Sequence, residues 1–238
     1  MSDVADNLAR INERIATACA RAGRPADGVR LIAVTKRIPL ANLVEARRAG
    51  QLVFGENRIQ DALPRQDELA SALQGTGVET PPVDWHFIGH LQSNKARKAV
   101  GRFALLHAVD SARLAERLSG IAGETGARQP ILLEVNVGAE PQKQGLTPDE
   151  TPAAAERIAR LPGLDLRGFM CMARFGAPET ELRGTFAALR SLSEVARAAT
   201  GLPLPELSMG MSDDFEYAIA EGATLVRVGT AVFGPRER

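Results

Sequence analysis

Apolar residues recur along this chain in two rhythms. From residue 4 to 21, Val4, Leu8, Ile11, Ile15 and Ala18 fall three and four positions apart, which predicts an amphipathic helix with one buried stripe. Beyond it, short and nearly continuous apolar runs alternate with helical patterning. The runs are RLIAVTK (30–36), QLVFGEN (51–57), DWHFIGHL (84–91), FALLHAVD (103–110), PILLEVNVG (130–138), DLRGFMCMA (165–173), PELSMG (205–210) and TLVRVGTAVFG (224–234). Between them lie LANLVEARRA, RIQDALPRQDELASAL, SNKARKAV, SARLAERLSGIAGE, PDETPAAAERIARL, PETELRGTFAALRSLSEVARAA and DDFEYAIAEGA. Ser93, Ser111 and Ser212 stand where a side-chain oxygen could accept an orphan amide at a helix start.

Runs that do not alternate polar with apolar suit parallel strands covered on both faces. Eight of them interleaved with helices predict an α/β fold, a closed (β/α)8 TIM barrel over about 30–234. With the leading helix, residues 1–238 are expected to form one domain. A doubly wound open sheet is the competing architecture; the count of eight and the lack of G-x-G-x-x-G after the first strand favour the barrel. GTGVETPPVD (75–84) is read as a connecting loop.

Composition narrows the partners. Lys+Arg and Asp+Glu number 29 each, so no global charge favours nucleic acid or an anionic membrane. The opening MSDVADNLARINERIATACA mixes acids and bases without an apolar run, and no stretch approaches the ~18 apolar residues that span a bilayer. The two cysteines, Cys19 and Cys171, lack metal-ligand spacing. A cytoplasmic, reducing location is the expectation.

In a barrel of this kind, functional groups gather at the carboxyl ends of the strands. Those ends carry Lys36; Glu56 and Asn57; His90 and Gln92; Asp110; Asn136; Met170 and Met172; Ser208, Met209 and Gly210; then Arg227, Gly229 and Thr230. A lysine directed into a partly dehydrated site has its charged form disfavoured, and the free amine can attack an aldehyde. Taken alone, V-T-K reads better as a surface lysine snorkelling at a strand edge. SMGMSDD and VRVGTAVFG change that balance, because small residues after strands seven and eight let amides and hydroxyls approach an anion, and Arg227 adds a fixed charge. A Schiff-base lysine facing an anion cup is the combination that pyridoxal 5′-phosphate (PLP) requires.

LIAVTK, FGENRIQ, WHFIGHLQSNK, LLEVNVGAEPQKQG, LRGFM, SMGMSDDFEYAI and VRVGTAVFG, in this order from about residue 30 to 234, resemble the pyridoxal phosphate homeostasis protein family, also called the YggS or proline synthetase co-transcribed family. The resemblance implies a barrel similar to the alanine racemase N-terminal domain, with PLP as an internal aldimine on Lys36. It implies Ser208, Gly210, Arg227, Gly229 and Thr230 around the phosphate, and Asn57, Asn136 and Met170 nearer the ring. Whether Arg227 faces the phosphate or the pyridine nitrogen is left open. The family often has tyrosine after GEN where this chain has Arg58.

Other signals yield to plainer readings. His86 and His90 have the i, i+4 spacing of a zinc helix but fall in a strand-like run without a third ligand, so no metal is expected. SNKARKAVGR reads as a solvated helix face rather than a nucleic-acid patch, Asp213 and Asp214 as helix-start acids, and Cys171 as packing.

A racemase needs a second acid/base on the ring face opposite the lysine. The sole tyrosine, Tyr217, is expected to pack or face solvent, and alanine racemase carries its tyrosine base on a second domain, for which the residues after Gly234 are expected to be too few. The expected function is therefore vitamin B6 homeostasis without catalytic turnover, with PLP-dependent apo-enzymes as recipients; no catalytic residue is assigned. The alternative is a PLP-dependent racemase-like enzyme acting as a dimer whose partner supplies the missing base. A monomer is the expected state, with a weak dimer as the variant.

Overall fold

The computed structural model describes residues 4–74, 82–140 and 142–234. Eight parallel strands close into a barrel in chain order, each pairing with the next and the last with the first. They are β1 (Arg30–Val34), β2 (Val53–Glu56), β3 (Asp84–Phe87), β4 (Leu105–Val109), β5 (Gln129–Glu134), β6 (Leu164–Met170), β7 (Glu206–Ser208) and β8 (Leu225–Val228). The helices among the described residues are α1 (Val4–Arg21), α2 (Leu40–Arg48), α3 (Ile59–Leu73), α4 (Ala96–Ala99), α5 (Ala112–Thr125), α6 (Thr151–Ala159), α7 (Glu179–Thr200), α8 (Phe215–Ala220) and α9 (Thr230–Phe233). This is the predicted barrel, and the open sheet is excluded by the β8 to β1 pairing.

Two cores explain the unbroken apolar runs. Ile32, Val53, Leu105, Ala108, Leu132, Met170 and Leu225 fill the barrel interior. Their strand neighbours, such as Leu31 and Ala33 on β1 and Leu133 on β5, pack outward against the helices. Strands such as β1 and β5 therefore bury apolar residues on both faces.

The first helix covers the closing seam. Asn7 Nδ2 donates to the Val232 carbonyl on α9 (2.8 Å), the Val4 amide donates to Glu45 on α2 (2.9 Å), and Arg14 bonds Glu216 on α8 (2.7 Å). Its predicted stripe, Val4, Leu8, Ile11, Ile15 and Ala18, is buried.

Several boundaries differ from the sequence reading. TAVF, read as the end of the last strand, forms α9, because Gly229 turns the chain and a run of four residues with three apolar ones satisfies either periodicity. Of the three predicted caps, only Ser111 accepts an amide, from Leu114 at 3.3 Å. Ser93 begins a 3-10 turn, Ser93–Lys95, and α8 starts later than Ser212, at Phe215. There Asp214 accepts the Met211 amide and closes the loop instead. Residues 75–81 of the expected loop lie outside the described residues. On β6 the pairing with β5 slips by one residue beside Gly168, whose φ of +148° and closeness to the Glu206 carbonyl leave no room for a Cβ. Among the described residues no helix is long and apolar enough to cross a membrane.

Candidate functional site

Lys36 stands just past β1 on a pinned peptide. Thr35, fully buried, takes the Gly55 carbonyl with its amide (3.0 Å) and donates its hydroxyl to Glu56 Oε1 (2.5 Å). Arg37 then adopts φ +59°, a left-handed turn closed by the Ile38 amide on the Thr35 carbonyl (3.0 Å), and Ile38 returns to the core. V-T-K-R-I-P thus fixes both ends of a tight turn and leaves the Lys36 side chain half-buried at the barrel mouth. Burial raises the Glu56 carboxyl, opposed by its Thr35 bond and by Arg65.

Lys36 opens onto a cavity of about 970 Å³ at the carboxyl ends of the strands. Asn57, Met170, Arg227, Gly229 and Thr230 also line it, as do His90 and Met172. Asn57 brings an unpartnered acceptor, since its buried Oδ1 has no hydrogen bond among the described residues. Arg227 is 6% exposed, and its guanidinium donates from Nη2 to the Cys171 carbonyl (2.9 Å) and from Nη1 to Ser208 Oγ (2.5 Å). Burial lowers the Arg227 pKa, and among the described residues it forms no ion pair.

Three residues singled out in the sequence stand outside the lining. Asn136 is occupied by its own loop: Nδ2 donates to the Glu140 carbonyl (2.8 Å) and Oδ1 accepts the Glu140 amide (3.1 Å). Ser208 lies in the barrel interior, between Arg227 and His107. Gly210 has φ +92° and abuts α8, where a Cβ would come within 2.8 Å of Phe215 Cα. Glu56, Gln92, Asp110 and Met209 are also outside the lining, Asp110 bonding His90 Nδ1 at 3.0 Å.

The lining holds groups that the sequence reading missed or set aside. Glu134 faces inward from the end of β5, and burial first, then Asp110, raises its pKa against the pull of Arg227. Gly89 is required by contact, because a Cβ there would sit 2.2 Å from the Asn57 carbonyl oxygen. Met211, Ser212 and Asp214 form the wall after β7, and burial raises Asp214. Tyr217, expected away from the site, contributes to the same wall. The signal for Glu134 was its register two residues before Asn136; the glycine carried no signal apart from its neighbours.

The two histidines of the possible zinc pair point apart. His86 bonds His107 inside the barrel (3.0 Å), whereas His90 meets Asp110 at the rim. Among the described residues, no group of three or more potential ligands could hold a metal ion. In the basic run, Arg97 pairs with Glu124 and Arg102 with Asp67. Both cysteines are free and buried, and burial pushes the Cys171 thiol up to about 12.

The alanine racemase N-terminal domain family matches residues 7–237. A pyridoxal phosphate homeostasis protein of Pseudomonas aeruginosa is 43% identical over 237 residues, covering 100% of this chain and 97% of the relative. The chain belongs to the pyridoxal phosphate homeostasis protein family. Its relative in Escherichia coli strain K12 is 39% identical over 240 residues, with 100% and 98% coverage. The solved structure of PipY from Synechococcus elongatus, with PLP bound, superposes with a TM-score of 0.82 at 41% identity, covering 97% of this chain and 100% of PipY. Alanine racemase from Corynebacterium glutamicum, at 20% identity, a TM-score of 0.68 and coverage of 97% of this chain and 62% of the racemase, shares the fold. In this member of the pyridoxal phosphate homeostasis family, Arg58 is exposed at the start of α3 and outside the cavity lining.

Proposed function

We propose that this chain binds PLP through a Schiff base to Lys36 and serves intracellular PLP homeostasis, holding and releasing the cofactor without catalytic turnover. One observation carries the reading: Lys36 and a buried guanidinium that lacks an ion pair among the described residues line one cavity. A buried charge and a buried orphan acceptor are both costly without partners. A phosphorylated pyridine aldehyde brings an anion, a ring nitrogen and a hydroxyl, so the residues present fit the group, and the cavity volume suits a small cofactor. PLP, when bound, supplies an electrophilic aldehyde and an electron sink.

The chain's own residues divide the work. Lys36 supplies the amine, Asn57 Oδ1 an acceptor beside the ring, and Met170 an apolar wall. Arg227, Gly229 and Thr230 serve as donors toward the anion or ring nitrogen. Ser208, Gly210 and Asn136 act from behind the wall: Ser208 holds Arg227, Gly210 lets the turn after β7 pack on α8, and Asn136 ties its loop. The relatives carry the name of homeostasis proteins rather than enzymes, which supports a carrier. In this reading the chain acts as one cytoplasmic domain and a monomer, with PLP-dependent apo-enzymes as recipients.

Purified protein supplied with PLP should gain a visible absorption band that Lys36→Ala lacks, and borohydride should fix the cofactor to the Lys36 peptide. A wild-type protein without either signal would overturn the reading. Arg227→Gln should fold and retain PLP about tenfold less tightly, the scale of one charge-assisted bond. In deuterium oxide, enzyme-like exchange of an amino acid's α-proton that disappears in Lys36→Ala would replace the carrier with the racemase-like alternative. Faster transfer to an apo-enzyme than release into buffer supports delivery.

A further inference from the structure

The barrel interior contains a line of polar groups that the cofactor site does not by itself require. Strand register places His86 on β3, His107 on β4, Ser208 on β7 and Arg227 on β8 at inward positions, among Ile32, Leu105, Met170 and Leu225. Consecutive members are bonded: His86 Nδ1 to His107 Nε2 (3.0 Å), His107 Nδ1 to Ser208 Oγ (2.9 Å), and Arg227 Nη1 to Ser208 Oγ (2.5 Å). His107 and Ser208 are fully buried and His86 nearly so.

Donor accounting gives this line a direction. A guanidinium only donates, so Ser208 Oγ accepts from Arg227. The serine proton then needs an acceptor, and His107 Nδ1 is the one in reach. His107 therefore carries its proton on Nε2 and donates it to His86 Nδ1, which leaves the His86 proton on Nε2 as well. The reverse order would strand the Ser208 proton in a dry interior and aim an imidazole N–H toward the cation, both unfavourable. Burial lowers His86 to about 3 and holds His107 well below its ordinary value, consistent with two neutral rings.

We propose that His107, supported by His86, is a positioning residue that acts through Ser208 to orient the Arg227 guanidinium for the cavity. The inference rests on the reading of the cavity as a PLP site. Lone pairs of neutral groups restrain the guanidinium without neutralising it, and the Cys171 carbonyl fixes its second nitrogen. Two of its five N–H groups are used in this way, which leaves the positive charge and three donors for other acceptors.

The direct test is long-range proton–nitrogen NMR on the wild-type protein near neutral pH, which reports each ring's tautomer. Both rings should be neutral with protons on Nε2; a protonated ring or an Nδ1–H tautomer at His107 would overturn the proposal. The second arm compares PLP retention and the absorption of bound PLP in His107→Leu and His107→Asn, whose Oδ1 can accept the serine proton. Loss of about tenfold in retention with a displaced band in His107→Leu, largely restored in His107→Asn, is expected. A folded His107→Leu with wild-type retention and spectrum refutes the role; if that variant fails to fold, the tautomers decide. Failure of the wild-type protein to bind PLP would instead refute the reading of the cavity, whatever the tautomers.

Discussion

At the scale of single residues, the amine depends on its neighbour. Thr35 holds the peptide that presents Lys36, and its hydroxyl lowers the pKa of a Glu56 carboxyl that burial raises. Thr35→Val keeps the shape and removes that donor, so it should cost about 1–3 kcal/mol in urea unfolding near neutral pH. The cost should shrink as pH falls through the raised Glu56 value, where the carboxyl gains a proton and needs the donor less. Glu134 offers a cleaner titration. Its pKa is raised in the fold, so the folded protein holds the proton more tightly than the unfolded chain does. The stability associated with that proton is fully present below the ordinary carboxylate value of ~4.3 and is lost as pH rises through the raised one. Glu134→Gln should therefore raise the melting temperature of the cofactor-free protein near pH 7 and change it little near pH 4. An equal gain at both pH values would mean that shape, not charge, limits this position.

At the scale of elements, β6 is where the barrel is least tolerant. Gly168 sits at the register slip, and a Cβ there would lie 1.9 Å from the Glu206 carbonyl oxygen on β7. Gly168→Ala should destabilise by about 1–3 kcal/mol or more, read as a shift in the urea midpoint, because backbone has to move and overpacking is not relieved by a rotamer change. The sequence revealed the strand but not the slip, since one glycine in an apolar run looks the same in a regular strand and in a bulge. The same limit runs through the rest of the chain. Eight strands were legible because most bury apolar residues on both faces and so read as nearly unbroken runs, and Lys36, Asn57, Arg227, Gly229 and Thr230, read from their places at or just past strand ends, line the cavity. α9 was not, as TAVF is too short for its period to show. His107 drew no attention, because a parallel strand apolar on both faces does not reveal which side turns inward. Ser208 was correctly placed on β7, yet its inward register sends it to Arg227 rather than to the cavity wall.

Across the whole molecule, the α1 seam and the cavity proposed to bind PLP lie in separate places, and their independence can be measured. The α1 stripe lies over the β8 to β1 seam, on the outer wall, and none of its residues lines the large cavity. Ile11→Ala should then lower the unfolding free energy by about 2–5 kcal/mol through lost burial and an unfilled cavity. A ligand that binds only the folded state adds stability by mass action, about 2.7 kcal/mol at one hundred times its dissociation constant. If the site is independent of the seam, PLP at that saturation should give the wild-type protein and Ile11→Ala the same increment, measured as parallel shifts of the urea curves at unchanged slope. Lys36→Ala should show the opposite pattern: nearly wild-type stability without PLP, and a much smaller increment at the same PLP concentration. A reduced increment in Ile11→Ala would instead tie the seam to the site, with β1 as the connection, because it pairs with β8 along the seam and leads directly into Lys36.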